Sequence, residues 1–315
     1  MRHISLNVIA ALCLFCFFTL GAKAQQDPAF AQYWKLETEY NPAAAGRTPQ
    51  LVIDGAYQLH NTGFDDAGGT MFASVNTAFD IGKTRHGVGV IFQNDLFGLF
   101  SHKRISAQYA YHTRLFGGTF SIGVEADLMA EGIEGSKAEF AEGNDLAFPS
   151  ADVTGNKVDA SVGLFYQIKR FYAGASVLHL SAPAVRFGEQ NEMKWKRLYN
   201  FTAGYNIRTR SPFITIVPSV MFRTDLTDYR ADITARLQYA NDKKRLYGGA
   251  SYSPGHSATL FIGGTLQGID LCYSYEANTQ GIGLESGQHE ITLGYRLDLN
   301  LGKRGRNLHR SVRWL

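Results

Sequence analysis

Residues Ala231, Ile233, Ala235, Leu237 and Tyr239 alternate without a slip with Asp232, Thr234, Arg236 and Gln238. Side chains of a β-strand point to opposite faces in turn, so this order makes one face wholly apolar and the other wet. The same period holds for Phe120, Ile122, Val124, Ala126 and Leu128 against Ser121, Gly123, Glu125 and Asp127. It holds again for Ile105, Ala107, Tyr109 and Tyr111 against Arg104, Ser106, Gln108 and His112. Charged residues thus fall mid-strand on one face only, and helical spacing is rare from about residue 50 onward.

Segments of this kind lie near 50–60, 69–81, 86–98, 101–116, 118–131, 157–168, 170–181, 194–208, 213–224, 229–240, 244–253, 258–267, 269–277 and 286–299. Connections at 82–85, Gly117, Lys169, 209–212, 241–243 and Gly268 are short, and those between them are mostly longer, the longest being 132–156. Short turns at one rim and long loops at the other are the pattern of an outer-membrane barrel. The expected fold is therefore all-β: a transmembrane, antiparallel, up-and-down β-barrel of about fourteen strands, monomeric and set in outer-membrane lipid. A soluble sandwich or lipocalin-like barrel also alternates, but fourteen meandering strands exceed what one soluble core normally organises. Strands of about ten residues match a bilayer, and aromatics recur near strand ends at Tyr57, Phe92, Phe165, Phe171, Tyr199, Tyr239 and Tyr273. Pro218 falls in mid-strand, where it cannot donate a ladder hydrogen bond, so a bulge or a shifted boundary is expected there.

The first 24 residues read as a secretory leader: basic Arg2, an apolar run over 8–20, and Ala22-Lys23-Ala24 before Gln25. Thirteen apolar residues are too few to cross a hydrocarbon core about 30 Å thick as a helix. Cys13 and Cys16 would leave with the leader, so Cys272 alone remains and no disulfide framework or cysteine metal site can form within the chain. The 31 Lys and Arg nearly balance the 28 Asp and Glu, which offers no basic field for nucleic acid. Expected domains are 1–24 leader, 25–49 N-terminal periplasmic segment without strands, 50–299 barrel and 300–315 basic periplasmic tail.

Between leader and first strand, Asp27-Pro28 and Asn41-Pro42 are turn initiators, while Phe30, Tyr33, Trp34 and Tyr40 are large rings that would be costly to leave in water. The segment must pack against something. Its two elements, carried by Asp27, Pro28, Phe30, Gln32 and Tyr33 and by Tyr40, Asn41, Pro42, Ala43, Ala45 and Gly46, resemble the hallmark of the PorP/SprF family. Ala31 and Ala44 depart from it, where Ser and an aromatic are usual. The resemblance implies a Bacteroidota outer-membrane protein of the type IX secretion and gliding machinery, with secretion components in the periplasm as partners. It also implies, for some members, pairing with a secreted adhesin through that adhesin's C-terminal domain. Held on the periplasmic side, the aromatics could plug or brace the barrel mouth, or dock a partner.

In the last strand, Thr292, Gly294, Leu297 and Leu299 resemble the signal read by barrel-assembly machinery, and an even strand count would place both termini in the periplasm. Catalysis is not expected: His60, His102, His112, His179, His256 and His289 are scattered, and no G-x-S-x-G, H-E-x-x-H or P-loop spacing occurs. Gly87-Val88-Gly89 reads as strand glycines, and Asp225, Asp228 and Asp232 lack an ordered cation loop, so neither cofactor nor metal is assigned. The rival reading is a passive pore lined by Arg104, Glu125, Asp127, Asp159, Asp232 and Arg236, although opposed charges there could equally hold a plug.

Overall fold

The computed structural model describes residues 27–60, 68–82, 84–133, 135, 152–187, 191–241, 244–279 and 287–298. The leader, residues 299–315 and most of the 132–156 loop lie outside them. The strands are β1 (Gln50–Leu59), β2 (Gly69–Ile81), β3 (Thr84–Phe97), β4 (Phe100–Leu115), β5 (Gly118–Ile133), β6 (Val153–Ile168) and β7 (Phe171–Leu178). After the small hairpin β8 (Ala184–Phe187) and β9 (Asn191–Lys194) come β10 (Leu198–Tyr205), β11 (Ile207–Arg208), β12 (Ile214–Thr224) and β13 (Tyr229–Asn241). The last four are β14 (Lys244–Ser253), β15 (Ser257–Leu266), β16 (Ile269–Asn278) and β17 (Gln288–Asp298).

All but the hairpin form one antiparallel sheet that closes on itself, β1 pairing with β17 from Gln50↔Asp298 to Leu59↔His289. Because β10 and β11 are two pieces of one wall strand, both paired to β12, the barrel has fourteen strands. Closure leaves no open edge, and backbone groups in the wall are paired within it, as a hydrocarbon surround requires. Among the described residues no helix is long and apolar enough to cross a membrane.

Burial runs inside out. In β5, Ser121, Glu125 and Asp127 are buried while Ile122, Val124 and Leu128 are exposed; in β4, Arg104, Ser106, Gln108 and His112 are buried while Ile105, Tyr109 and Tyr111 are exposed. A soluble core would reverse this assignment, so the alternation is that of a wall facing lipid. Phe165 is the exception among the strand-end aromatics, since it turns inward and lies under the Arg47 guanidinium at 4.1 Å.

Two local expectations are corrected. Pro218 makes no bulge and shifts no boundary: β12 keeps one register with β13 through Val217↔Arg236, Pro218↔Ala235 and Ser219↔Thr234. On the other side the ladder simply breaks, β10 ending and β11 resuming in the same register around Asn206, whose N–H donates instead to the Arg170 carbonyl at 2.9 Å. The sixth strand also starts earlier than the expected residue 157, β6 running 16 residues from Val153. The outer part of β6, from Thr154 to Val158, is open on both faces, so it stands clear of the bilayer band. Val185 of the hairpin packs on Ile133, the last residue of β5, and on Val153, the first of β6.

Candidate functional site

Residues 27–46 occupy the barrel interior. The segment begins at the long-loop rim, where Asp27 faces His179 just past the end of β7, and descends through Phe30 and Tyr33 to Lys35. A single helical turn, Glu37–Tyr40, sends the chain back up, and a 3-10 turn, Pro42–Ala44, brings it down to the short-turn rim. Asn41 makes the second reversal possible: its side chain accepts from the Ala43 N–H at 2.9 Å while Pro42 supplies the preset φ of the first position.

The rings predicted to need cover find it here. Phe30, Tyr33, Leu36 and Tyr40 cluster with Ala56, Phe72, Ile91 and Met221, and Phe30 meets the Phe72 ring edge-on at 5.7 Å. Trp34 packs between Tyr247 and Phe261 beside buried Cys272, at 5.5 and 5.6 Å between ring centres. The Tyr33 hydroxyl bonds with Ser219 and Thr234 at 2.9 and 3.1 Å.

Polar wall residues satisfy the backbone that such a fold would otherwise leave unpaired. The Glu290 carboxylate accepts from the Ala31 and Gln32 N–H groups at 2.7 and 3.2 Å. Ser176 and Asn200 donate to the Tyr40 carbonyl, Gln108 to that of Thr38, and Gln58 to that of Ala29. His112 bonds to the Ala45 carbonyl, Asn76 accepts from Gly46 N–H, and the Pro28 carbonyl accepts from Arg223. Ion pairs anchor the charged members, Glu39 to Arg104 at 2.6 Å and Lys35 to Asp270.

Three lumen-facing glycines make room for this chain. A Cβ at Gly87 would lie 2.0 Å from the Ala45 carbonyl oxygen, one at Gly123 2.2 Å from the Ala43 nitrogen, and one at Gly163 2.0 Å from Asn41 Oδ1. Gly46 adopts φ +66°, which few side chains tolerate, at the point where the segment crosses Gly87.

All eleven motif residues therefore meet in one lumenal unit. Its place differs from the expected one: rather than resting at the mouth that holds Gln50 and Asp298, the segment runs through the barrel, with Asp27 at the opposite rim. The six charged residues predicted to line the lumen, Arg104, Glu125, Asp127, Asp159, Asp232 and Arg236, are buried on that face. Of the proposed assembly signal, Thr292 points inward and bonds Gln32 and Lys35, Gly294 stands opposite Asp54, and Leu297 faces outward; Leu299 is outside the described residues. Glu39 and the glycine cradle had no motif to flag them. Nor did the cover at the long-loop rim, where Trp195 sits between the His102 and His179 rings at 4.6 and 4.8 Å.

At the short-turn rim two cavities flank the segment. One, of about 730 Å³, opens beside Trp34, Lys35 and Arg236; the other, of about 340 Å³, opens beside Arg47 and His112.

Comparison with known proteins agrees with this architecture. Residues 22–295 match the family model of the type IX secretion system membrane protein PorP/SprF. No curated protein sequence matches the chain. Among solved structures, a Pseudomonas aeruginosa FadL homologue aligns at 7% identity and TM-score 0.50, over 82% of this chain and 92% of that one. The CymD monoaromatic hydrocarbon channel aligns at 11% identity and TM-score 0.51, over 89% and 95%. At such identities the likeness is one of fold. A closed barrel with a lipid-facing apolar wall and a secretion-system membrane family together point to the outer membrane. The match spans the described N-terminal segment and nearly the whole barrel, and the chain belongs to the PorP/SprF family of type IX secretion system membrane proteins.

Proposed function

We propose that this protein is a non-catalytic, plugged barrel that serves type IX secretion and gliding by binding other proteins: secretion components on the periplasmic side and a secreted adhesin or its C-terminal domain. In this reading the short-turn rim faces the periplasm, which puts the C-terminal end of the barrel there and the head of the plug near the outer mouth. The observation that carries it is the lumen itself. The family's sequence elements are spent on filling the pore with rings and satisfied hydrogen bonds, which suits a scaffold and not a solute channel.

A passive pore predicts open conductance in planar bilayers and purification of the barrel alone. The secretion reading predicts poor conductance and co-purification, from outer membranes of the native organism in mild detergent, of type IX components or one large adhesin. The combined Phe30→Ala, Tyr33→Ala and Tyr40→Ala protein should lose those companions or open the lumen. A solitary barrel that conducts freely would overturn the proposal.

A further inference from the structure

We propose that the 730 Å³ cavity at the short-turn rim is a binding site for an oxyanion, a carboxylate or phosphate group, with Arg236 as its principal ligand. This stands apart from the secretion reading, because it rests on one wall of the lumen and not on the plug's role.

Buried arginines in this barrel are otherwise matched to acids. Arg104 holds Glu39, Arg223 holds Asp232, and Arg230 holds Asp232 and Glu276. Arg236 is 6% exposed, yet no carboxylate among the described residues lies within ion-pair distance of it, and its Nε has no acceptor. Its guanidinium lies 3.9 Å above the Trp34 ring, whose own Nε1 is likewise unpartnered. Stacking on an indole offsets only part of what removing a lone cation from water costs. The guanidinium instead borders the cavity, in which a group with two coplanar acceptor oxygens would meet its fork.

The rest of the lining favours an anion. Lys244, Arg245 and Arg296 join Arg236 as cations, whereas Asp270 is taken by Lys35, leaving Asp54 and Asp298, the latter accepting from Gln50 at 2.7 Å, as two opposing acids against four positive groups. The volume falls in the range of small-molecule sites and also admits a short peptide end.

The stack on Trp34 supplies the reporter. Trp195 and Trp314 are the other two tryptophans, so in the full-length protein carrying Trp195→Phe and Trp314→Phe the emission is that of Trp34. Sodium citrate and inorganic phosphate, each titrated against sodium chloride at matched ionic strength in non-ionic detergent, should give a saturable change that chloride does not. Arg236→Gln should weaken it about tenfold or more, and Lys244→Gln with Arg245→Gln, on the exposed rim, a few-fold. Heat-modifiable migration on gels checks that each barrel is closed; if Arg236→Gln fails that check, Arg236→Lys keeps the charge without the fork and should still weaken binding. A short peptide binding with a free terminus but not as its amide would identify a peptide carboxylate as the source, and citrate or phosphate binding without it a small molecule. No saturable change with any probe, or equal affinity in the variants, would mean that Arg236 only braces Trp34 and would overturn the site.

Discussion

His179 joins the plug to the wall through both ring nitrogens, Nδ1 to Asp159 at 2.7 Å and Nε2 to Asp27 at 3.1 Å. Burial alone would raise the Asp27 carboxyl, but the charge and hydrogen bond of His179 hold it at about 2, below its ordinary 3.8. Burial alone would lower His179, but Asp27 and Asp159 lift it to about 10 from 6.5. The Asp27 contribution is therefore complete above about pH 4 and is lost as pH falls through about 2; that of His179 is complete below about pH 6.5 and is lost as pH rises through about 10. Hydrogen-exchange protection of residues 27–32, corrected for the chemical rate, should plateau between about pH 4 and 6.5 and fall on both sides. Asp27→Asn should flatten the acid limb and move the alkaline limb to lower pH, and identical profiles in the two proteins would show that this contact does not hold the plug. A second residue-scale test concerns Arg104, which keeps Gln93 and a weaker 3.5 Å contact to Glu125 when Glu39 is neutralised. Glu39→Gln should cost about 3 kcal/mol in denaturant unfolding, the lower end for breaking a buried pair, and the double change Glu39→Gln with Arg104→Gln should cost less.

At the scale of the element, the strands were legible because their period is two and their faces differ in kind; the segment 229–240 expected from alternation became β13, Tyr229–Asn241. The β8–β9 hairpin was not, since four-residue strands with no alternation carry no periodic signal. The plug was legible only in part. Its rings announced that they must be covered, and the opposed charges of the wall that a plug could be held. That Glu39 finds Arg104, or that Gly87, Gly123 and Gly163 are clearance for backbone, depends on which strands closure brings together across the lumen. No local pattern encodes that. The cradle makes a direct test: Gly123→Val would drive its side chain into the Pro42–Ala43 backbone at 2.2–2.5 Å, where no flexible end can yield. The cost should exceed the usual 1–3 kcal/mol of overpacking unless the plug withdraws. Planar-bilayer recordings should then show higher conductance than the unaltered protein, with the barrel still closed on gels. Unchanged conductance together with unchanged stability would contradict the tight crossing.

For the whole molecule, the inside-out wall sets two surfaces under opposite rules, and a single exposed site can tell them apart. Leu260 lies near the middle of β15, 69% exposed, opposite Ala250 and Tyr275. On a soluble barrel a leucine this open to water could become arginine at a cost near zero, because surface substitutions away from special features change stability by about 0.5 kcal/mol or less. In a wall facing hydrocarbon the same change puts a cation at mid-depth, which costs about 2–4 kcal/mol and fades toward the interfaces. Leu260→Arg should therefore lower unfolding free energy in phospholipid bilayers by that amount, while Leu266→Arg, at the short-turn end of the same strand and 56% exposed, should cost about 1 kcal/mol or less. The gradient between the two positions carries the argument, since simple loss of a leucine side chain would affect both alike. Equal small costs at both sites would mean that the apolar face meets something other than lipid.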